Sequence, residues 1–175
     1  VDFASVYSRK FLISALTDEQ GTFRLRVRDP GFPLQLTISK VGYGDTTVTI
    51  NREQVENINL AIFQKPVLLD PILVRYSEGE GSWLSKLFVS SRLRTQSRNI
   101  SQFFVSLPYQ ASLTPGLGTH GKMSGQVVNK FSLNVLGGYT AGVNGLELAG
   151  GFNISKRDVK YAQVAGVFNL VSGNL

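Results

Sequence analysis

Cysteine is absent from this chain of 175 residues, and histidine and tryptophan occur once each. Without cysteine neither a disulfide framework nor a thiolate metal site can be built, and one imidazole leaves no His set for a zinc centre. Long apolar runs are also missing: none approaches the ~18 to 20 residues of a membrane-spanning helix, so any crossing of a bilayer has to be made by strands. Acidic residues are the scarcer charge, 12 Asp and Glu against 18 Lys and Arg, for a net charge of +6. The first 75 residues are almost balanced, nine cations to eight anions, so the excess is C-terminal. These cations are scattered through strand-like text with no RNP-type motif and no recognition helix, which argues against a nucleic-acid partner. Anionic lipid headgroups are the counter-charge that fits. The opening Val1-Asp2-Phe3 carries neither Met nor a signal-peptide pattern, and Ser172-Gly173-Asn174-Leu175 reads as a turn into another repeat, so a longer precursor is expected.

What is present in abundance is alternation, and near the C-terminus it repeats. Leu148-Ala149-Gly150-Gly151-Phe152-Asn153-Ile154 returns 16 positions later as Val164-Ala165-Gly166-Val167-Phe168-Asn169-Leu170. An even shift keeps every side chain on the same face of a strand. One face is apolar: Leu146, Leu148, Gly150, Phe152 and Ile154, matched by Ala162, Val164, Gly166, Phe168 and Leu170. The other is small or polar and carries Glu147 and Asn153, matched by Gln163 and Asn169. Lys130 to Tyr139 follows the same logic, with Phe131, Leu133 and Val135 opposing Ser132 and Asn134. One oily and one wet face on strands of this length is what a transmembrane β-barrel requires.

Residues 1–75 read as short strands separated by turns. Thr17-Asp18-Glu19-Gln20-Gly21 is a turn with Gly21 suited to positive φ, Thr22 to Val27 alternates, and strands are expected at Leu34–Ile38, Thr46–Ile50, Ile58–Ile62 and Ile72–Val74. Strands at this spacing predict a β-sandwich. Arg24, Arg26 and Arg28 share one face of their strand opposite Phe23, Leu25 and Val27, as a solvated face or a docking surface for a partner. Through Phe3-Ala4-Ser5-Val6, the phrase from Thr17 to Leu25, Ile38-Ser39-Lys40-Val41-Gly42-Tyr43, Ile58-Asn59-Leu60 and Leu69-Asp70-Pro71-Ile72-Leu73-Val74, this stretch resembles the carboxypeptidase-regulatory-like domain, a transthyretin-type sandwich. The family's usual opening strand is missing. The resemblance implies a location more than a chemistry, the periplasmic end of an outer-membrane protein in envelopes of Bacteroidetes type.

Residues 76–110 form a linker with an amphipathic segment. Glu78-Gly79-Glu80-Gly81-Ser82 is polar, and on a helix from Trp83 to Arg94 the side chains Trp83, Leu84, Leu87 and Phe88 share a face, which suits a membrane interface or a helix packed on the sheets. Residues 111–175 then resemble the Gly/Asn-rich surface-repeat outer-membrane proteins in Ser132-Leu133-Asn134-Val135-Leu136-Gly137-Gly138-Tyr139 and Ala165-Gly166-Val167-Phe168-Asn169. The expected fold is therefore all-β: an N-terminal sandwich, a short amphipathic helix, and the first strands of an antiparallel up-and-down transmembrane barrel. Its lipid-facing set would be Phe131, Leu133, Val135, Leu146, Leu148, Phe152, Ile154, Val164, Phe168 and Leu170. A β-solenoid with a 16-residue coil is the alternative, and there Asn153 and Asn169 would stack outside in a ladder.

Chemistry is sparse. His120, in Gly118-Thr119-His120-Gly121-Lys122, lacks a local nucleophile and an orienting carboxylate, and the GxGxxG match at 116–121 lacks the preceding buried strand of a dinucleotide site. Asp18-Glu19 and the pair Glu78 and Glu80 lie in turn and linker contexts. Glu147 belongs to the face expected to point inward, facing Gln163 across a strand pair. No cofactor and no metal is expected, and the peptidase suggested by the family name would need zinc ligands that one His cannot supply. The expectation is a non-enzymatic outer-membrane protein with a periplasmic docking domain, serving as an accessory or scaffold subunit of a transport, secretion or assembly complex, with the bilayer and other envelope proteins as partners. The alternatives are a surface-exposed solenoid for adhesion or binding, and an accessory module of a hydrolase.

Overall fold

A computed structural model describes residues 1–28, 31–55, 58–65 and 82–174. The expected strand at Ile72–Val74 and the linker acids Glu78 and Glu80 lie outside the described residues. The protein is mostly β and divides into two compact units, Val1–Ile72 with Arg98–Ile100, and Leu73–Ser97 with Ser101–Leu175.

The first unit is an ordinary apolar-in structure. Strands β1 (Ser5–Ser8), β2 (Ile13–Leu16), β3 (Leu34–Ser39) and β4 (Thr46–Ile50) form an antiparallel sheet in the order β2-β1-β3-β4. Leu34, Leu36 and Ile38 recur with period two on β3 and are buried with Ala4, Val6 and Ile50. Phe23, Leu25, Val27, Ile58, Leu60 and Ile62 pack against this sheet as a second layer. Their burial alternates as expected, but segments 22–28 and 58–62 form no paired strand, and a cavity of about 990 Å³ lies beside them. Asn99 is tied into the same unit, its Nδ2 donating to the Phe3 carbonyl at 2.7 Å and its own carbonyl accepting from Ser39 Oγ at 2.5 Å.

The second unit is built differently. Helix α1 (Trp83–Phe88) is N-capped by Ser82, whose side chain accepts from the Ser85 backbone N–H, and α2 (Ser91–Asn99) follows after a break at Val89 and Ser90. A single three-turn helix was the expectation from sequence; the break lets Val89 and Leu93 turn into a core with Tyr139 and Ile154. The strands are β5 (Val105–Thr114), β6 (Leu117–Gly118), β7 (Val127–Asn134), β8 (Gly137–Thr140), β9 (Gly142–Ala149), β10 (Phe152–Ser155), β11 (Val159–Ala165) and β12 (Phe168–Val171). Strand β5 begins inside the stretch read as linker.

The antiparallel meander expected for this region is not the pairing these strands make. β5 with β7, β7 with β9 and β9 with β11 all pair in parallel, as do β8 with β10 and β10 with β12. The result is two sheets, β11-β9-β7-β5-β6 and β12-β10-β8. The chain reaches the second sheet through a tight corner after β7, β9 and β11 and returns through another, so residue 152 stacks on 168 and 147 on 163, whereas β5 turns back antiparallel into β6 within its own sheet. The strands thus follow a parallel coil of stacked turns, and the 16-residue sequence repeat is the spacing between its last two turns. Glycine permits the corners: a Cβ on Gly150 would strike the Val135 carbonyl oxygen, and one on Gly166 the Gly150 carbonyl oxygen of the turn beneath.

Candidate functional site

The coil combines the solenoid's topology with the polarity expected of the barrel. Its interior is polar. Ser132, Asn134, Glu147, Asn153, Ser155 and Thr140 are all fully or almost fully buried. The amide of Asn134 donates to Asn153 Oδ1 at 2.9 Å and to Glu147 Oε1 at 3.0 Å, and Asn153 Nδ2 donates to Asn169 Oδ1 at 3.0 Å. Gln163 Nε2 reaches Glu147 Oε2 at 2.7 Å, the pairing anticipated from sequence. The asparagine ladder therefore runs inside the coil, not outside as the solenoid alternative required. The amides of Asn134 and Asn153 donate to carbonyls on the next turn, and that of the exposed Asn169 to the Gln163 backbone carbonyl of its own turn, which is how most of this polar stack is satisfied within a core; Gln163 Oε1 is left without a partner. Burial raises the pKa of the Glu147 carboxyl, and the hydrogen bonds from Gln163, Asn134 and the neighbouring serines oppose that rise.

Reversing the inside reverses the outside. On the five-stranded sheet the outward side chains align in rows: Tyr109, Phe131, Leu146 and Ala162, then Ala111, Leu133, Leu148 and Val164. Tyr109, Phe131, Leu133 and Val164 are exposed, Leu146 is 37% exposed, and Leu148 is half-buried. Val135, 59% exposed, continues the face at the corner with Leu136 and Val167. A contiguous apolar face of this extent on a water-facing sheet is uncommon and marks an interaction surface.

The predicted lipid-facing residues thus separate into two groups. Phe131, Leu133, Val135, Leu146, Leu148 and Val164 form the bare face. Phe152, Ile154, Phe168 and Leu170 do not belong to it: they point outward from the other sheet, where helices α1 and α2 cover them. Phe152 and Phe168 stack with centroids 5.4 Å apart, and the Phe88 ring lies 4.5 Å from the former and 5.4 Å from the latter. The stacking follows from the 16-residue register, and the cover from the apolar side of α1. Of the four residues assigned to a membrane interface, Phe88 is engaged in this cluster and Leu84 is half-buried, whereas Trp83 and Leu87 are exposed.

The remaining candidates lie elsewhere. Arg24, Arg26 and Arg28 project outward from the first unit and are exposed, opposite Phe23, Leu25 and Val27. His120 caps a short 3₁₀ segment, with Nδ1 3.2 Å from Gln110 Oε1, and its pKa is lowered by burial. Among the described residues no three His, Cys, Asp or Glu side chains converge as a metal site would require, and no helix is long and apolar enough to cross a membrane. The feature missed from sequence is the selective covering of one sheet. The signal was the placement of an apolar helix before a repeat with two apolar segments per turn.

Fold and site together define a class: a mostly-β chain whose C-terminal unit is a parallel two-sheet coil, polar within and apolar on one outer face. Comparison with protein families, with curated proteins and with solved structures finds no match.

Proposed function

We propose that this chain is a non-enzymatic scaffold of the outer membrane, held at the hydrocarbon by the bare face of its parallel sheet, with the N-terminal unit serving as a periplasmic docking domain. The observation that carries the reading is the inversion of polarity in the second unit, where Asn134, Glu147 and Asn153 are buried and Leu133, Val135 and Val164 face out. Removing such a face from water is favourable by about 25 cal/mol per Å², which a hydrocarbon phase supplies along its whole length. Arg24, Arg26 and Arg28 give the docking domain a cationic strip suited to an acidic partner. The resemblances to a carboxypeptidase-regulatory-like domain and to surface-repeat outer-membrane proteins point to the same compartment and to an accessory role in a transport, secretion or assembly complex.

A second reading, a surface-exposed solenoid for adhesion, is favoured by the parallel coil itself, since such coils present broad flat binding faces. Fractionation of cells expressing the full-length protein separates the two. The membrane scaffold is recovered with the outer membrane and needs detergent for release, and Leu133→Lys with Val164→Lys moves it to the soluble fraction. Recovery of the unaltered protein in the soluble fraction overturns the proposal in favour of the second reading.

A further inference from the structure

Building on that membrane reading, we infer that the bare face is a docking surface for anionic phospholipid that enters one leaflet only, with the Leu136 and Val167 corner deepest and Lys130 and Lys160 at the level of the phosphates. The face has a direction. The exposed Lys160 stands near the start of β11 and the exposed Lys130 midway along β7, each just before the first apolar row, with Tyr161 89% exposed beside that row and Tyr109, 68% exposed, in it. Beyond them no outward charge occurs on β7, β9 or β11: Glu147, the one ionisable residue in those stretches, is buried in the interior. The far corners are Val135-Leu136-Gly137, Ala149-Gly150-Gly151 and Ala165-Gly166-Val167, apolar or small where a corner in water would be polar.

Cations and tyrosines at one end with hydrocarbon-compatible residues at the other is the order of groups from a bilayer's phosphate level to its interior. A protein interface distributes its charges around the rim of an apolar centre instead. At the cationic end the corner also holds Lys156, Arg157 and Asp158: Lys156 is half-buried with its Nζ donating to Ser97 Oγ at 2.7 Å, Arg157 and Asp158 carry opposite charges, and the Arg157 guanidinium lies over the Phe104 ring at 4.7 Å. That leaves Lys130 and Lys160 as the exposed cations facing the phosphates without a charge beside them in sequence.

Length decides between entering and crossing. From Lys130 to Val135 the strand advances roughly 16 Å at about 3.3 Å per residue, half of the ~30 Å hydrocarbon thickness. β7 and β9 have 8 residues and β11 has 7, short of the about 9 to 11 that a crossing strand needs; β5, with 10, is the one strand of this sheet that reaches that length. The parallel ladders pair the N–H and C=O groups of β7 and β9 on both sides, as entry requires of them, and β11, at the edge of the sheet, is paired on one side.

The absence of cysteine makes the test direct, because a single introduced thiol carries the only label. The full chain is labelled with an environment-sensitive fluorophore at Leu136→Cys or at Lys160→Cys. It is then floated with vesicles of phosphatidylcholine alone or of phosphatidylcholine mixed with phosphatidylglycerol. Binding to the anionic vesicles is expected, with the label at 136 quenched by lipids brominated deep in the acyl chain and the label at 160 quenched only by headgroup quenchers. Lys130→Gln with Lys160→Gln weakens binding to the anionic vesicles roughly 30-fold and leaves binding to phosphatidylcholine unchanged. Equal binding to both vesicle types, indifferent to that double substitution, overturns the anionic assignment while the membrane reading survives. Quenching of the label at 136 by a water-soluble quencher sealed inside the vesicles overturns single-leaflet entry. Failure to bind either vesicle, with a dimer in sedimentation, assigns the face to a second copy and overturns both this inference and the membrane reading.

Discussion

The two units solve the same problem with opposite polarity. In the first, Leu34, Leu36 and Ile38 are turned inward and Arg24, Arg26 and Arg28 outward, so water is the solvent its surface is made for. In the second, amides, hydroxyls and one carboxylate are turned inward, and Phe131, Leu133 and Val164 outward. Both obey the same alternation of side chains along a strand. What differs is where the hydrogen bonds go. A polar interior is tolerable only when stacked turns hold each donor opposite an acceptor, as Asn134, Asn153 and Asn169 do. The antiparallel sheet of the first unit offers no such repetition of identical groups, so it needs an apolar core. The comparison teaches that register, more than composition, sets which face of a strand is buried.

The sharpest way to break the comparison is to give the second unit the first unit's kind of core. Asn153→Leu is isosteric in outline and would suit an apolar interior, yet it removes three hydrogen bonds: the acceptor for Asn134 Nδ2, the donor to Asn169 Oδ1, and the donor to the Val164 carbonyl at 3.0 Å. A loss of about 3 to 5 kcal/mol in the stability of the coil is expected. Hydrogen exchange followed on peptides from 142–155 reads it, with peptides from 34–50 as the internal control. A neutral or stabilising Leu would mean that the interior is not organised by the ladder. Next in size, Gly166→Val drives a side chain into the Gly150 carbonyl oxygen, and a cost of about 2 to 3 kcal/mol is expected from overpacking. The same exchange experiment checks it, and free tolerance of Val would show that adjacent turns do not stack this closely.

How much of this was legible beforehand depends on which property each residue encodes. The alternation of Leu146 to Ile154, the 16-residue repeat and the pairing of Glu147 with Gln163 were all readable, because side-chain period and an even shift are properties of one strand and its copy. The direction of the neighbouring strand was not. Alternation is identical in parallel and antiparallel ladders, so polar Ser155-Lys156-Arg157-Asp158 fitted a hairpin as well as the corner of a coil. The outward side of the strand was legible for Leu133 and Val164 and equally for Phe152 and Phe168. That the Phe88 ring covers the latter pair was not, since nothing in their own segments distinguishes hydrocarbon from that ring as their cover. In the first unit the strands at Leu34–Ile38 and Thr46–Ile50 were legible, whereas Thr22–Val27 and Ile58–Ile62 kept the alternation without the pairing.

A smaller effect sharpens the contrast through pH. Because the folded coil holds the Glu147 carboxyl above its usual pKa by burial, folding favours the protonated form. The stability this contributes is fully present below the unfolded carboxyl value of about 4.3 and is lost as pH rises through the folded value. The coil should therefore resist urea better in mild acid than at neutrality, opposite to a domain stabilised by ionised carboxylates. Glu147→Gln should flatten this dependence, because Gln163, whose Oε1 is buried with no hydrogen-bond partner, can turn its amide to accept from the new side chain. Parallel slopes for the two proteins between pH 4 and 7, measured as urea midpoints, would remove the carboxylate from the account.

The smallest expected effect discriminates most cleanly between the two units. Leu133→Lys and Val164→Lys change residues 48% and 55% exposed, and on a soluble unit such changes alter stability by about 0.5 kcal/mol or less. If the outward face is bare, urea midpoints of the coil in water stay where they were, while flotation with vesicles is lost, because each lysine would have to enter hydrocarbon at a cost of about 2 to 4 kcal/mol at depth. The same substitution at Leu36 of the first unit, 2% exposed, should instead unfold its unit and leave vesicle binding of the coil intact. One chemical change would then report burial in one unit and solvent preference in the other. A Leu133→Lys protein that loses stability in water as Leu36→Lys does would show that the face is covered within the protein itself, and the inversion between the two units would disappear.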